Sequence, residues 1–197
     1  YKYGLQREQF IPAIKAIKEN SEVIHLPIKV DYRLRHLQEA GVFYTPLNDF
    51  AKQSMEKTFA VLTQDEVVTT APLEIAGREI QVVKKAGDTV WFDFNVICSV
   101  PRSQKDYLLI AEKFRTVFIG DIPVIGPNEK DKICLFISLI DVFYDANVRV
   151  VISAAEPVAQ IYSRGYMIME YTRTNSRLLE MQSSDYFAGE FALRTVS

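Results

Sequence analysis

The stretch from Thr116 to Ala154, TVFIGDIPVIGPNEKDKICLFISLIDVFYDANVRVVISA, carries most of the architectural information in this 197-residue chain. It opens with a continuous apolar run, Thr116 to Ile119, followed by Gly120, Asp121 and Pro123, the pattern of a buried strand ending in a loop. A helix is predicted from near Asn128 to Asp145, and Val148 to Ala154 supplies a second buried strand. Strand, long helix and strand make the βαβ unit of a parallel sheet, because parallel neighbours need a crossover of a dozen or more residues. Ligands on such sheets sit beyond the carboxyl ends of the strands, which singles out Asp121 and the segment Ser153 to Glu156.

On the amino-terminal side, Leu73 to Ala76 and Glu79 to Lys84 flank Gly77-Arg78 and read as a hairpin, with a second turn at Gly87-Asp88. Val90 to Phe94 is a strand by its aromatic and β-branched content. Ser103 caps a helix through Phe114, with Tyr107, Leu108, Ile110, Ala111 and Phe114 at helical spacing. Nearer the start, Phe10, Ile11, Ile14 and Ile17 form a helical stripe over Glu8 to Asn20, and Glu22 to Ile28 reads as a short strand. Val42 to Thr45 is another, after which Asn48 or Asp49 caps a helix through Leu62 with Phe50, Met55, Phe59 and Leu62 facing the core. The polar segment Thr63 to Thr70 is the best candidate boundary, dividing the chain into 1–65 and 66–197. Beyond the βαβ unit an extended piece, Met167 to Tyr171, precedes a last helix from Thr174 to Gln182.

A hydrophobic content of 48% excludes a disordered chain, and a formal charge of -2 provides no broad field for nucleic acid or an anionic membrane. The apolar stretches around Leu135 to Ile140 and Val148 to Ala155 fall well short of the roughly 20 residues of a membrane span. A peripheral membrane contact stays open. The two cysteines, Cys98 and Cys134, sit in apolar runs and read as buried structural thiols. The chain opens on Tyr1 rather than Met, so a fragment of a longer protein is expected.

No G-x-x-x-x-G-K-[ST] sequence is present, so a phosphate cradle of that kind is not encoded in these residues. His25 and His36 lack partners at metal-ligand spacing, there is no G-x-S-x-G elbow, and no metal site is expected. What remains is a set of arginines at element boundaries: Arg7, Arg33 and Arg35, and Arg173 and Arg177. Arginine stabilises charge on a transferring phosphoryl group because its planar fork holds two oxygens at once. The plain alternative for each is a surface ion pair. Asp121 could orient Mg²⁺, although a single acid in a loop is more often a capping carboxylate.

A series of motifs then matches a known family in order. Tyr3-Gly4-Leu5-Gln6-Arg7 is followed by Asp31-Tyr32-Arg33-Leu34-Arg35, Tyr44-Thr45-Pro46-Leu47, Trp91-Phe92-Asp93-Phe94 and Pro101-Arg102-Ser103-Gln104. Phe136 to Asp145 (FISLIDVFYD), Ser153 to Pro157 and Arg173-Thr174-Asn175-Ser176-Arg177-Leu178 complete it. The chain resembles the AFG-type P-loop ATPases, a family that includes ZapE-type bacterial cell-division ATPases and mitochondrial relatives. The resemblance implies an α/β fold, with P-loop-NTPase-like mixed and parallel sheet pieces and flanking helices. It also implies that the Walker A and Walker B portion precedes Tyr1, with residues 1–65 the remainder of the ATPase core and lid and residues 66–197 a C-terminal α/β domain.

By the same resemblance, the full-length protein is an ATP hydrolase using ATP and Mg²⁺ bound mainly outside this chain. Arg7 would be the catalytic arginine finger presented to a neighbouring copy in a homo-oligomer. Arg33, Arg35, Arg173 and Arg177 would be nucleotide-sensing or interdomain contacts. The implied client is the FtsZ division ring, and the implied compartment is the bacterial cytoplasm, with mitochondria as the alternative. One departure stands out, for Cys134 and Leu135 occupy a place where the family commonly carries a basic pair. The competing reading is a non-enzymatic protein-interaction module.

Overall fold

The computed structural model describes residues 42–100 and 102–183, with Pro12 and Tyr186 in addition. The helix expected over 8–20, the strand over 22–28 and the residues Arg7, Arg33 and Arg35 lie outside the described residues. Two compact units divide the chain, Tyr1–Asp31 and Tyr32–Ser197, and the elements below belong to the second.

The predicted βαβ unit is its centre. Strand β6 (Thr116–Ile122) leads through a sixteen-residue helix, Lys130–Asp145, into strand β7 (Arg149–Ala154), and the two strands pair in parallel. Strand β5 (Thr89–Asp93) lies parallel to β6 on one side, and the short β1 (Phe43–Tyr44) lies parallel to β7 on the other. Strand β4 (Lys84–Ala86) closes the β5 edge in antiparallel register, giving a five-stranded sheet in the order β1-β7-β6-β5-β4. The two residues joining β4 to β5 are Gly87 and Asp88, with Gly87 at φ +52°, so the turn falls where glycine permits it.

Strand periodicity explains the layers. Val90, Phe92, Val117, Ile119, Val150 and Ile152 point to one face, and Trp91, Phe118 and Val151 to the other. Because both faces are covered, the strands read as unbroken apolar runs. Helix α1 (Asp49–Leu62), capped by Asn48, whose side chain accepts the Ala51 N–H at 2.9 Å, covers the second face. Its buried residues are Ala51, Met55, Thr58, Phe59 and Leu62. Phe50, expected in this stripe, is 74% exposed, because the spacing 51, 55, 58/59, 62 already completes the apolar face. The candidate boundary between residues 65 and 66 falls in the connection after α1, with β1 before it and β4 to β7 after it in one five-stranded sheet.

Helices α2 (Phe94–Cys98), α3 (Gln104–Lys113), α4 (Lys130–Asp145), α5 (Val158–Ile161) and α6 (Ile168–Glu180) follow in chain order, and residues of all five enter the core built on the first face. The strand expected over Val90 to Phe94 ends one residue early, at Asp93, and Phe94 opens helix α2. The Asp93 side chain accepts the Asn95 N–H at 2.8 Å and turns the chain into a helix despite its aromatic and β-branched residues. Helix α6 starts six residues before the predicted Thr174 and absorbs the supposed extended piece. Met167 caps it in the left-handed region, at φ +61°, and Tyr171, Thr174, Leu178 and Met181 form its buried stripe. The hairpin of β2 (Leu73–Ile75) and β3 (Arg78–Ile80) turns on Ala76-Gly77, one residue earlier than predicted. Both turn residues have positive φ, the type I′ geometry that matches strand twist.

Helix α3 begins with a capping box. Ser103 caps it, and the Asp106 carboxylate accepts from the Ser103 backbone N–H at 2.7 Å and hydroxyl at 3.0 Å while also receiving Arg78 from β3 at 2.5 Å. Burial pushes this carboxyl up, but the Ser103 N–H, the Arg78 guanidinium and the Ser103 hydroxyl outweigh it and hold it below its ordinary range. A depressed folded-state value means stabilisation that is complete above the unfolded-state value, about 3.9 for aspartate, and lost as pH falls through the folded one. Asp106→Asn keeps the shape and removes the charge. We expect it to destabilise the fold by about 1–2 kcal/mol at pH 7. The loss should shrink as the pH approaches 3, in urea titrations run at several pH values; a pH-independent difference would reject the ionic contribution.

Candidate functional site

At the carboxyl ends of the parallel strands lies a cleft of about 310 Å³, in the place predicted for ligands and lined by Asp121 and Ser153 as anticipated. Asp93 closes β5, Asp121 sits near the end of β6 and Ser153 near the end of β7, so three adjacent strands each contribute one polar side chain. Helix α1 supplies the opposite wall with Asp49, Lys52 and Glu56, over Met55 and Trp91. The pairing of β6 with β7 shifts register between Ile119 and Ile122, and Asp121 adopts φ +61° there with its N–H donated to Ser153 Oγ at 3.0 Å. Gly120 is required beside it, since a Cβ would stand 2.8 Å from the Trp91 indole nitrogen.

Four carboxylates therefore line the cleft against one lysine. Lys84, just outside, is engaged with Glu56 and lies over the rings of Phe59 at 4.6 Å and Trp91 at 4.8 Å. Nucleotide phosphates do not fit here. They need converging N–H groups and cations, whereas the N-terminal turn of α1 already carries Asn48 on the Ala51 N–H and Asp49 on its dipole. Among the described residues no group of three His, Cys, Asp or Glu side chains could hold a metal ion.

The arginines of α6 are placed elsewhere. Arg173 and Arg177 both meet Asp141 of α4 at 2.7 Å, one on each carboxylate oxygen, and Arg177 also reaches Asp145 at 3.4 Å. The Arg177 guanidinium stacks 4.6 Å from the Tyr144 ring, whose hydroxyl donates to Glu180 at 2.8 Å. This network joins α4 to α6 in the helical layer across the sheet from α1. Cys98 is buried as expected, and burial pushes its thiol well above the ordinary value. Cys134 is only half-buried, a correction to the expectation for it; burial, Asp131 and Glu170 push its thiol up as well, so neither sulfur is a poised nucleophile.

Sequence reasoning did not connect Asp93, Asp49 and Glu56 with this cleft. The signal for Asp93 is an aspartate that caps a helix directly after a strand, and ending β5 there places it opposite Gly120, next to Asp121.

The AFG1-like ATPase family model matches residues 1–190. The chain belongs to the AFG1-like ATPase family. It is 36% identical over 190 residues to the cell division protein ZapE of Escherichia coli K12, covering 96% of this chain and 51% of that protein. It is 33% identical over 198 residues to the zebrafish (Danio rerio) lactation elevated protein 1 homolog B, covering 99% of this chain and 39% of the relative. An uncharacterized protein of Schizosaccharomyces pombe is 36% identical over 170 residues, covering 82% of this chain and 36% of its own length. The chain thus spans about half the length of the bacterial relative and less of the eukaryotic ones. No solved structure matches. Membership agrees with the mixed, mostly parallel α/β sheet and its flanking helices. No helix among the described residues of this AFG1-like chain is long and apolar enough to cross a membrane.

Proposed function

We propose that this chain is the C-terminal portion of a ZapE-like ATP hydrolase that acts on a protein client, the FtsZ division ring, in the bacterial cytoplasm. A mitochondrial setting is the alternative, favoured by the eukaryotic relatives. The observation that carries the reading is the family match across residues 1–190, together with 36% identity to a cell division protein. ATP and Mg²⁺ are then held mainly by residues outside this chain, which accords with the missing phosphate-cradle sequence and the acidic cleft. Arg7, in its G-L-x-R context, serves as the finger toward a neighbouring copy, so the active form is a homo-oligomer. Arg33 and Arg35 contact nucleotide or the adjoining domain. Arg173 and Arg177 are proposed as interdomain or nucleotide-sensing contacts, and in the structure both are paired with Asp141 inside the same unit.

A calorimetric titration of the 197-residue chain with Mg-ATP tests where the nucleotide sits, and no heat of binding is expected. Micromolar binding would overturn this assignment and return attention to the cleft at Asp121. A second reading, a protein-interaction module without its own nucleotide site, draws on the cleft's surplus of carboxylates, which suits a cationic partner better than a phosphate.

A further inference from the structure

We propose that Arg102, in the wall of a cavity between the α2–α3 connection and helix α4, is the receptor for a carboxylate group brought in by a ligand. The cavity holds about 410 Å³ and is lined by Ser99, Arg102, Asp131, Cys134 and Leu135, none of which lines the cleft at the strand ends. Arg78, Arg115, Arg173 and Arg177 each meet a carboxylate, whereas Arg102 meets none among the described residues. Its Nη2 donates to the Val96 carbonyl at 3.3 Å, and its Nε–H is buried with no hydrogen-bond partner. The carbonyl fixes the guanidinium without neutralising it, so a half-buried positive charge stands uncompensated at the cavity wall. A charge withdrawn from water in this way is costly until an opposite charge joins it.

The rest of the wall selects the anion. Asp131 lines the same cavity without pairing with Arg102, and its repulsion grows with the charge of whatever enters. A monoanion is therefore favoured over a doubly charged phosphate. The planar fork of the guanidinium matches the two oxygens of a carboxylate, and Leu135 offers apolar surface to the hydrocarbon that carries it. A small organic acid and an acidic side chain of another protein present this same chemistry. The inference does not depend on where ATP binds, and its failure would leave the ATPase reading untouched.

Cys134 supplies the reporter, because it lines the cavity and is half-buried while Cys98 is fully buried. Alkylation of Cys134 in the 197-residue chain by the uncharged reagent N-ethylmaleimide is followed by mass spectrometry, with added acetyl-Ala-Glu-Ala-amide, its glutamine counterpart, sodium acetate or inorganic phosphate. Saturable protection by the glutamate peptide is expected, at least about tenfold weaker for the glutamine peptide and for phosphate. Protection by acetate as well identifies a small acid as sufficient, and protection by the peptide alone identifies an acidic protein segment. Arg102→Gln should weaken protection by about tenfold, and Arg102→Lys by less, with circular dichroism unchanged in both. Asp131→Asn, which removes the competing charge, should tighten it by about threefold, a gain that a purely structural Arg102 would not produce. No protection by the glutamate peptide, equal protection by the glutamine peptide, stronger protection by phosphate, or full protection in Arg102→Gln would overturn the proposal.

Discussion

With Arg7 as the proposed finger, Arg7→Ala in the full-length polypeptide is expected to lower ATP turnover by about 10³-fold or more and to leave affinity for ATP largely intact. Both halves of this expectation follow from when the arginine acts. A finger meets the phosphoryl oxygens as charge spreads over them in the transition state, so its removal raises the barrier without loosening the ground-state complex. Arg7→Lys keeps a cation but loses the two-pronged fork, and should recover only part of the rate. On the proposal that the finger is offered to a neighbouring copy, turnover of the unmodified protein should fall on dilution below the dissociation constant of the oligomer. Phosphate release at saturating ATP, with affinity measured separately by titration, decides the matter. Unchanged turnover in Arg7→Ala would remove the finger assignment, and a loss confined to affinity would make Arg7 a binding residue.

The second large effect concerns the fold that supports the cleft. Phe118 is fully buried in β6, at the middle of the sheet, and its ring meets Phe59 of α1 edge-on at 5.4 Å and stacks near Trp91 at 5.5 Å. These three rings attach α1 to the sheet, with Val151 and Met55 completing the layer. Phe118→Ala therefore leaves a cavity where the layer cannot collapse, and about 3–5 kcal/mol of stability should be lost. Against a typical total of about 5–15 kcal/mol that is a large share. Phe50→Ala, on the same helix but exposed, should change stability by no more than about 0.5 kcal/mol. Urea unfolding followed by Trp91 fluorescence and circular dichroism compares the two. A Phe118→Ala loss below about 1 kcal/mol, or an equal loss for Phe50→Ala, would contradict the packing described here.

The contrast between Phe50 and Phe118 shows what local sequence can and cannot settle. Both are large aromatic residues in elements whose type was correctly read. In β6 the unbroken run Thr116 to Ile119 forces burial on both faces whichever way the strand is turned. On α1, two overlapping stripes compete, and only contact with the sheet selects the one through Ala51 rather than Phe50. The short helix after Asp93 and the early start of α6 failed for a related reason. Their aromatic and β-branched residues favour strands on average, but a capping aspartate and the burial of Tyr171 override that preference.

The same division holds for the candidate site. The βαβ unit, the cap at Ser103, the start of α1 at Asn48 or Asp49, the type of most long elements among the described residues and the family itself were determined by sequence alone. Each is set by periodicities and motifs contained within a few tens of residues. The prediction that ligands would gather near Asp121 and Ser153 was legible for that reason, since both follow strands of a recognisable parallel unit. The tertiary structure alone decided which charges face each other. It set β1 beside β7 and β5 beside β6, joined residues from positions 49, 56, 93, 121 and 153 in one cleft, and tied Arg173 and Arg177 to Asp141. Strand order and helix docking are chosen by the burial of whole faces against one another, a summed free energy over distant segments that no local pattern encodes.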